Sequence, residues 1–263
     1  MTNRQIRKQS YKKYIHNVGL FLGVAILSSI PSWLNLAINN TATQSWRHII
    51  TSSVTVAGYP LLLGVTGFFY KQFHGESSSV SEVLCYYKIK KPSNAFLLGA
   101  IITGIRFAFN RITGYFRELT AQEPVWIWLF LIVSLLQIYI FFRLFLAPYL
   151  YIATSETNPS SIIRNSFRKT KGFFVDKCIF DISVLFTPVL FTLAVIAIVA
   201  NMFNNILLLS VTWLYVTMLF LPYIDLCMAG FAAKLLPGQP KLKKPSRISC
   251  HNKKYRYKTS WVN

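Results

Sequence analysis

The chain has 263 residues, of which 53% are hydrophobic and only 14% charged, against roughly 25% charged in soluble domains. That leaves too little polar surface to cover a water-soluble globule, so composition excludes a soluble fold and points to lipid as the solvent. The formal net charge of +20 comes from 28 basic and 8 acidic residues. The basic residues gather in the gaps between apolar runs, which reads as membrane topology and points away from nucleic acid as a partner.

Residues 1–17 carry Arg4, Arg7, Lys8, Lys12 and Lys13 and no acid. The apolar run that follows, Val18 to Ile38, is longer than the roughly 7–15 residues of a cleavable signal core, so it reads as a retained first span. The second span runs from Ile49 to Tyr70 and is interrupted by Gly58, Pro60, Gly64 and Gly67. These residues either let another helix approach closely, with a kink at Pro60, or reflect the ordinary glycine content of membrane helices. Next comes SSSVSEVL, a helix start with Ser near the N-cap and Glu82 in the first turn. Val80, Val83, Leu84 and Tyr87 fall at helical spacing and predict a short amphipathic helix on the membrane surface, ended by Pro92.

The third span starts near Phe96, reaches Phe109 or Phe116 and contains Arg106. RELTAQEP forms its polar exit, and Trp126 and Trp128 mark an interface for the fourth span, which starts at Val125 and ends in APYLYIA. SETNPSS is a turn, and IIRNSFRKTKG is a second basic amphipathic stretch. The fifth span is Val175 to Phe203, a turn holds Asn201, Asn204 and Asn205, and the sixth span is Ile206 to Leu235. Residues 237–263 are polar and basic without apolar period, and read as a disordered tail. The expected architecture is therefore all-α. It is a polytopic membrane protein with a basic N-terminus (1–17), six transmembrane helices with two short amphipathic helices (18–236), and the tail (237–263).

Charge asymmetry orients it. The N-terminus, the second gap (Lys71, Lys88, Lys90, Lys91), the fourth gap (Arg164, Arg168, Lys169, Lys171, Lys177) and the tail, including Lys243 and Lys244, lie on one side. The other side holds Arg47, Arg111 and Arg117. The positive-inside rule puts both termini in the cytosol. A faint internal repeat relates Ser81, Val83, Tyr87, Lys88 and Lys91 to Ser161, Ile163, Phe167, Arg168 and Lys171 at constant offset. Either a duplicated span–surface helix–span unit or chance similarity between two basic turns explains it.

APYLYIATSETNPSSIIRNSFRKTKGFFVDKCIFDISVLF, followed by LPYIDLCMAGFAAKL, resembles a bacterial family of six-span membrane proteins known as domain of unknown function nine-seven-five. A related family is the membrane domain fused to some glycerophosphodiester phosphodiesterases. The gap FHGESSSVSEVLCYYK is similar to that family's G-E-x-x-S pattern before its first surface helix, and the resemblance covers roughly residues 55–236. It implies an integral bacterial plasma-membrane protein and brings no activity.

Enzyme motifs are absent: there is no H-E-x-x-H, G-x-S-x-G, Walker loop or G-x-G-x-x-G. Cys85, Cys178, Cys227 and Cys250 form no C-x-x-C pair and have no histidine at ligand spacing. No cofactor, disulfide framework or zinc site is expected. Charges at membrane depth are the remaining leads, because they are costly in lipid and face protein or water. Arg106 lies roughly 15 Å from the start of its span, near mid-bilayer, and Gln137 matches it in depth. An unpaired Arg106 binds an anionic group such as a phosphate; alternatively the third span ends early and Arg106 reaches the interface. Arg143, Asp181 and Asp225 fall at a second common depth, where Arg143 pairs with Asp225 or Asp181, or Lys177 pairs locally with Asp181. Arg164, Arg168, Lys169, Lys171, Lys243 and Lys244 suit the anionic leaflet. The expectation is a non-catalytic accessory or scaffold protein with membrane lipid, and a protein in the membrane, as partners. The alternative is a small transporter or lipid-handling subunit that uses Arg106 in a polar cavity.

Overall fold

The computed structural model describes residues 1–41, 44–88, 92–154, 158–203 and 206–236. Every regular element among them is helical. The helices are α1 (Asn3–His16), α2 (Val18–Thr41), α3 (Gln44–Ala57), α4 (Tyr59–His74), α5 (Cys85–Lys88), α6 (Pro92–Gln122), α7 (Ile127–Leu144), α8 (Ala147–Ala153), α9 (Pro159–Lys169), α10 (Phe174–Phe203) and α11 (Ile206–Leu235). Five helices are long and apolar enough to cross a membrane, or up to six if α3 and α4, bent by 41° at their junction, form one span. A multi-pass membrane protein fits this composition of helices.

The bend follows from local chemistry. Pro60 sits in the first turn of α4, where its missing N–H costs least, and Gly58 provides the junction. A Cβ on Gly58 would meet the Pro31 ring of α2 at 2.9 Å. The Tyr87 hydroxyl donates to the Ala57 carbonyl (2.9 Å), covering the end of α3.

α4 is the hub and packs against α11, α6, α8 and the 3₁₀ turn Val80–Leu84. Its Leu63, Val65, Phe68, Phe69 and Phe73 are all buried. Two glycines make the closest approaches. A Cβ on Gly64 would lie 1.8 Å from the Val83 carbonyl oxygen, and one on Gly99 of α6 would lie 2.5 Å from Tyr59. The small-residue reading of the second span therefore holds at Gly64, whose missing side chain seats a backbone segment. Its spacing suggests one short helix, and the structure divides that stretch in two. Residues 80–88 form a 3₁₀ turn and four residues of α-helix, with Val83 fully buried while Leu84 and Tyr87 are exposed. Its repeat counterpart, α9, is a regular helix capped by Asn158, so the two segments do not share one local structure.

The first 17 residues also do more than carry charge. α1 opens with a capping box, in which the Thr2 hydroxyl accepts from Gln5 N–H and the Gln5 side chain accepts from Thr2 N–H. It docks Ile6 against Phe73 and Gly230, where a Cβ would come within 2.5 Å of both side chains. The third span is longer than expected: α6 runs unbroken for 31 residues. The fourth is divided after Leu144, with Pro148 in the first turn of α8. The tail, including Lys243 and Lys244, lies outside the described residues.

The core lies toward the end of the bundle that carries α1, α9 and the C-terminus of α11. Phe21, Phe68, Phe69, Phe180 and Phe231 are at most 1% exposed there. Toward the other end, side chains such as Trp128 (70%), Leu135 (64%) and Phe186 (61%) are bare in the isolated chain. Lipid is the solvent that suits them.

Candidate functional site: a groove between α3 and α6

The basic end is closed by polar contacts. Lys13 donates to the Gln72 and Phe73 carbonyls (both 2.7 Å) at the C-terminus of α4, where the helix dipole favours a cation. Gly75, left-handed at φ +80°, caps that terminus. Asp176 accepts from Asn3 (2.8 Å) and pairs with Lys234 (2.5 Å), joining α1, α10 and α11. Arg7 reaches the Ser183 carbonyl (3.2 Å), and Lys71 pairs with Glu82 (2.7 Å). Tyr14 donates to the Leu219 carbonyl (2.7 Å), one turn before Pro222 inside α11. Burial holds the Lys13 ammonium below its ordinary pKa and the Tyr14 phenol above its own.

The expected ion cluster of Arg143, Asp181 and Asp225 does not form. Arg143 donates to the Phe167 carbonyl (2.8 Å), the Tyr139 hydroxyl (3.0 Å) and Thr170 Oγ1 (3.4 Å), and the Ser166 hydroxyl donates back to the Arg143 carbonyl. It ties α9 to α7 rather than spanning helices through a carboxylate. Asp181 pairs with Lys177 one turn away, as the local alternative predicts; Lys177 also lies 4.6 Å from the Phe145 ring centroid. Asp225 forms no ion pair among the described residues and lies near Tyr149 of α8. Depth counting placed these residues on one level but could not place them on one side of their helices.

Arg106 and Gln137 are likewise close in level and separate in role. Gln137 accepts from Thr113 (2.8 Å) and donates to Asn110 (3.0 Å), forming a polar seam between α6 and α7. Arg106 stacks on Phe141 of α7 at 5.9 Å. α6 continues past Asn110 and Arg111 without a break, so no separate surface helix begins there.

Arg106 lines a groove of about 870 Å³ between α3 and α6, in the half of the molecule away from the basic end. Thr51, Ser52 and Thr55 of α3 form one wall. Thr103, Arg106, Asn110, Arg111, Gly114, Arg117 and Glu118 of α6 form the other. Helical spacing explains the second wall: residues 103, 106, 110, 114 and 117 recur every three or four positions. Arg106, Arg111 and Arg117 are exposed and form no ion pair among the described residues. Arg111 lies over the Phe107 ring at 5.2 Å. Gly114 faces open space, with nothing within 4 Å of a built Cβ. The wall residues of α3 were missed from sequence; their signal is the polar cluster Thr51, Ser52, Ser53 and Thr55 within the second span.

Arg164, Arg168, Lys169 and Lys171 are exposed on and just after α9, and Arg4, Lys8 and Lys12 are exposed on α1. Ile162 and Ser166 form the buried side of α9. Among the described residues no group of three or more His, Cys, Asp or Glu is placed to hold a metal ion. No protein-family model matches the chain, and comparison with curated proteins and with solved structures returns no match.

Proposed function

We propose that this chain is a non-catalytic, six-span protein of a bacterial plasma membrane, with both termini cytosolic, that holds an anionic group in the Arg106 groove as a lipid-handling or accessory subunit. The orientation rests on charge: α1, α9 and the end of α11 gather at one end, and the positive-inside rule assigns that end to the cytosol. Exposed basic residues of α1 and α9 then meet the anionic leaflet, each worth about 1 kcal/mol. The resemblance to the six-span family of unknown function accords with this and supplies no activity.

The observation that carries the functional reading is the groove itself. A pure scaffold needs a closed apolar bundle. Here three arginines line an open polar groove without an acidic ion-pair partner among the described residues. Guanidinium groups match phosphate oxygens in fork geometry, and weak hydration suits them to a partly dry site.

The test uses pyrophosphate on protein purified in a neutral detergent. It raises the unfolding midpoint of the wild type more than chloride at equal ionic strength does, and Arg106→Gln loses most of that shift. Equal shifts in both proteins contradict the reading.

A further inference from the structure

We infer that the ligand of this groove is a membrane lipid bearing two separated phosphodiester groups, which enters sideways from the bilayer. The inference rests on the anion-binding reading above and names the class of ligand. Two features of the groove point there.

The first is charge and spacing. Three arginines against Glu118 leave a surplus of two positive charges in the lining. Two phosphodiesters, each carrying a single negative charge, neutralise that surplus. Arg106 and Arg117 are eleven residues apart on one continuous helix, roughly 16 Å along its axis. That spacing seats two phosphate groups better than one, with Arg111 between them.

The second is the apolar border. Phe107 and Tyr115 line the groove and are 42% and 60% exposed. A soluble anion has no use for such a rim. A lipid does, because its phosphates meet arginine while its acyl chains lie on the aromatic side chains.

The experiment is native mass spectrometry of the full chain in neutral detergent, offered equal amounts of cardiolipin, phosphatidylglycerol and phosphatidylcholine. Wild type retains cardiolipin about fivefold over phosphatidylglycerol, the value of one additional charge contact. Arg117→Gln, whose exposed side chain has little to lose in folding, brings the two close to equal. Gly114→Leu intrudes on the groove without touching a charge and removes the preference for cardiolipin, while Arg168→Gln at the opposite end of the molecule lowers total retention of anionic lipid and leaves that preference in place. Equal retention of the two anionic lipids by wild type overturns the inference, as does a cardiolipin preference that survives both groove variants. If the Arg106-dependent pyrophosphate shift persists in either case, anion binding stands and only the lipid assignment falls. If the shift is absent as well, both fall.

Discussion

At the basic end of the bundle, Lys13, Lys71, Lys177, Lys234 and Arg143 each hold a carbonyl, hydroxyl or carboxylate of the protein. In the other half, Arg106 and Arg111 lie over aromatic rings, and among the described residues all three groove arginines lack an acidic partner. The same residue types are used for two purposes. Where cations are partnered they join helices around an aromatic core, and their loss leaves main-chain oxygens without donors. Where they are unpartnered they cost little to remove and are free for a ligand. Stability and binding are therefore expected to separate by region.

The sharpest test of that separation is Gly64→Ala. Its Cβ would overlap the Val83 carbonyl, a backbone atom that cannot swing aside. The expected loss is about 3 kcal/mol, the upper range for overpacking, read as a fall in the unfolding midpoint in detergent. Next comes Arg143→Ala, which strips α9 of its tie to α7 and costs about 2 kcal/mol. Arg106→Ala costs about 0.5 kcal/mol, since it loses one ring contact. Equal losses for the two arginines would erase the contrast between the ends. Gly114→Leu has the opposite sign, because replacing an open-space helical glycine adds about 0.5–1 kcal/mol of stability while blocking the groove.

The smallest effects are in pH. The lowered Lys13 pKa means that the unfolded chain binds more protons just below the ordinary value of 10.5, so stability rises with pH through that window. The raised Tyr14 pKa means that the folded chain keeps its proton above the ordinary value of 10.0, so stability falls as pH climbs past it. Lys13→Met removes the rise and Tyr14→Phe removes the decline, both measured as midpoint against pH.

Much of this was legible in the sequence. The apolar runs marked the long helices closely, because no other local signal competes with a run of twenty apolar residues. Gly58 and Pro60 announced the bend. α1 was not read, because a basic N-terminus reads first as a topology signal, although Thr2 and Gln5 stand at capping-box spacing. What was hidden depends on pairings between distant segments. Gly230 and Ile6 meet across 224 positions, and α3 meets α6 only once the chain has folded. Arg143 was assigned a carboxylate because side chains are visible in a sequence, whereas its main partner is the Phe167 carbonyl, which any residue could supply. The 80–88 segment misled for a related reason. Its apolar spacing is real, but Gly64 draws Val83 inward and leaves the rest of the stripe outside.

The central claim is that the basic end and the groove end face opposite sides of a membrane. It is tested by replacing the four native cysteines (Cys85, Cys178, Cys227 and Cys250) with serine and placing single cysteines at Glu123 and at Lys169, both exposed. Whole cells are then treated with a membrane-impermeant maleimide. The account predicts that Glu123→Cys is labelled in intact cells and Lys169→Cys only after permeabilisation; labelling of both in intact cells, or the reverse pattern, would contradict it.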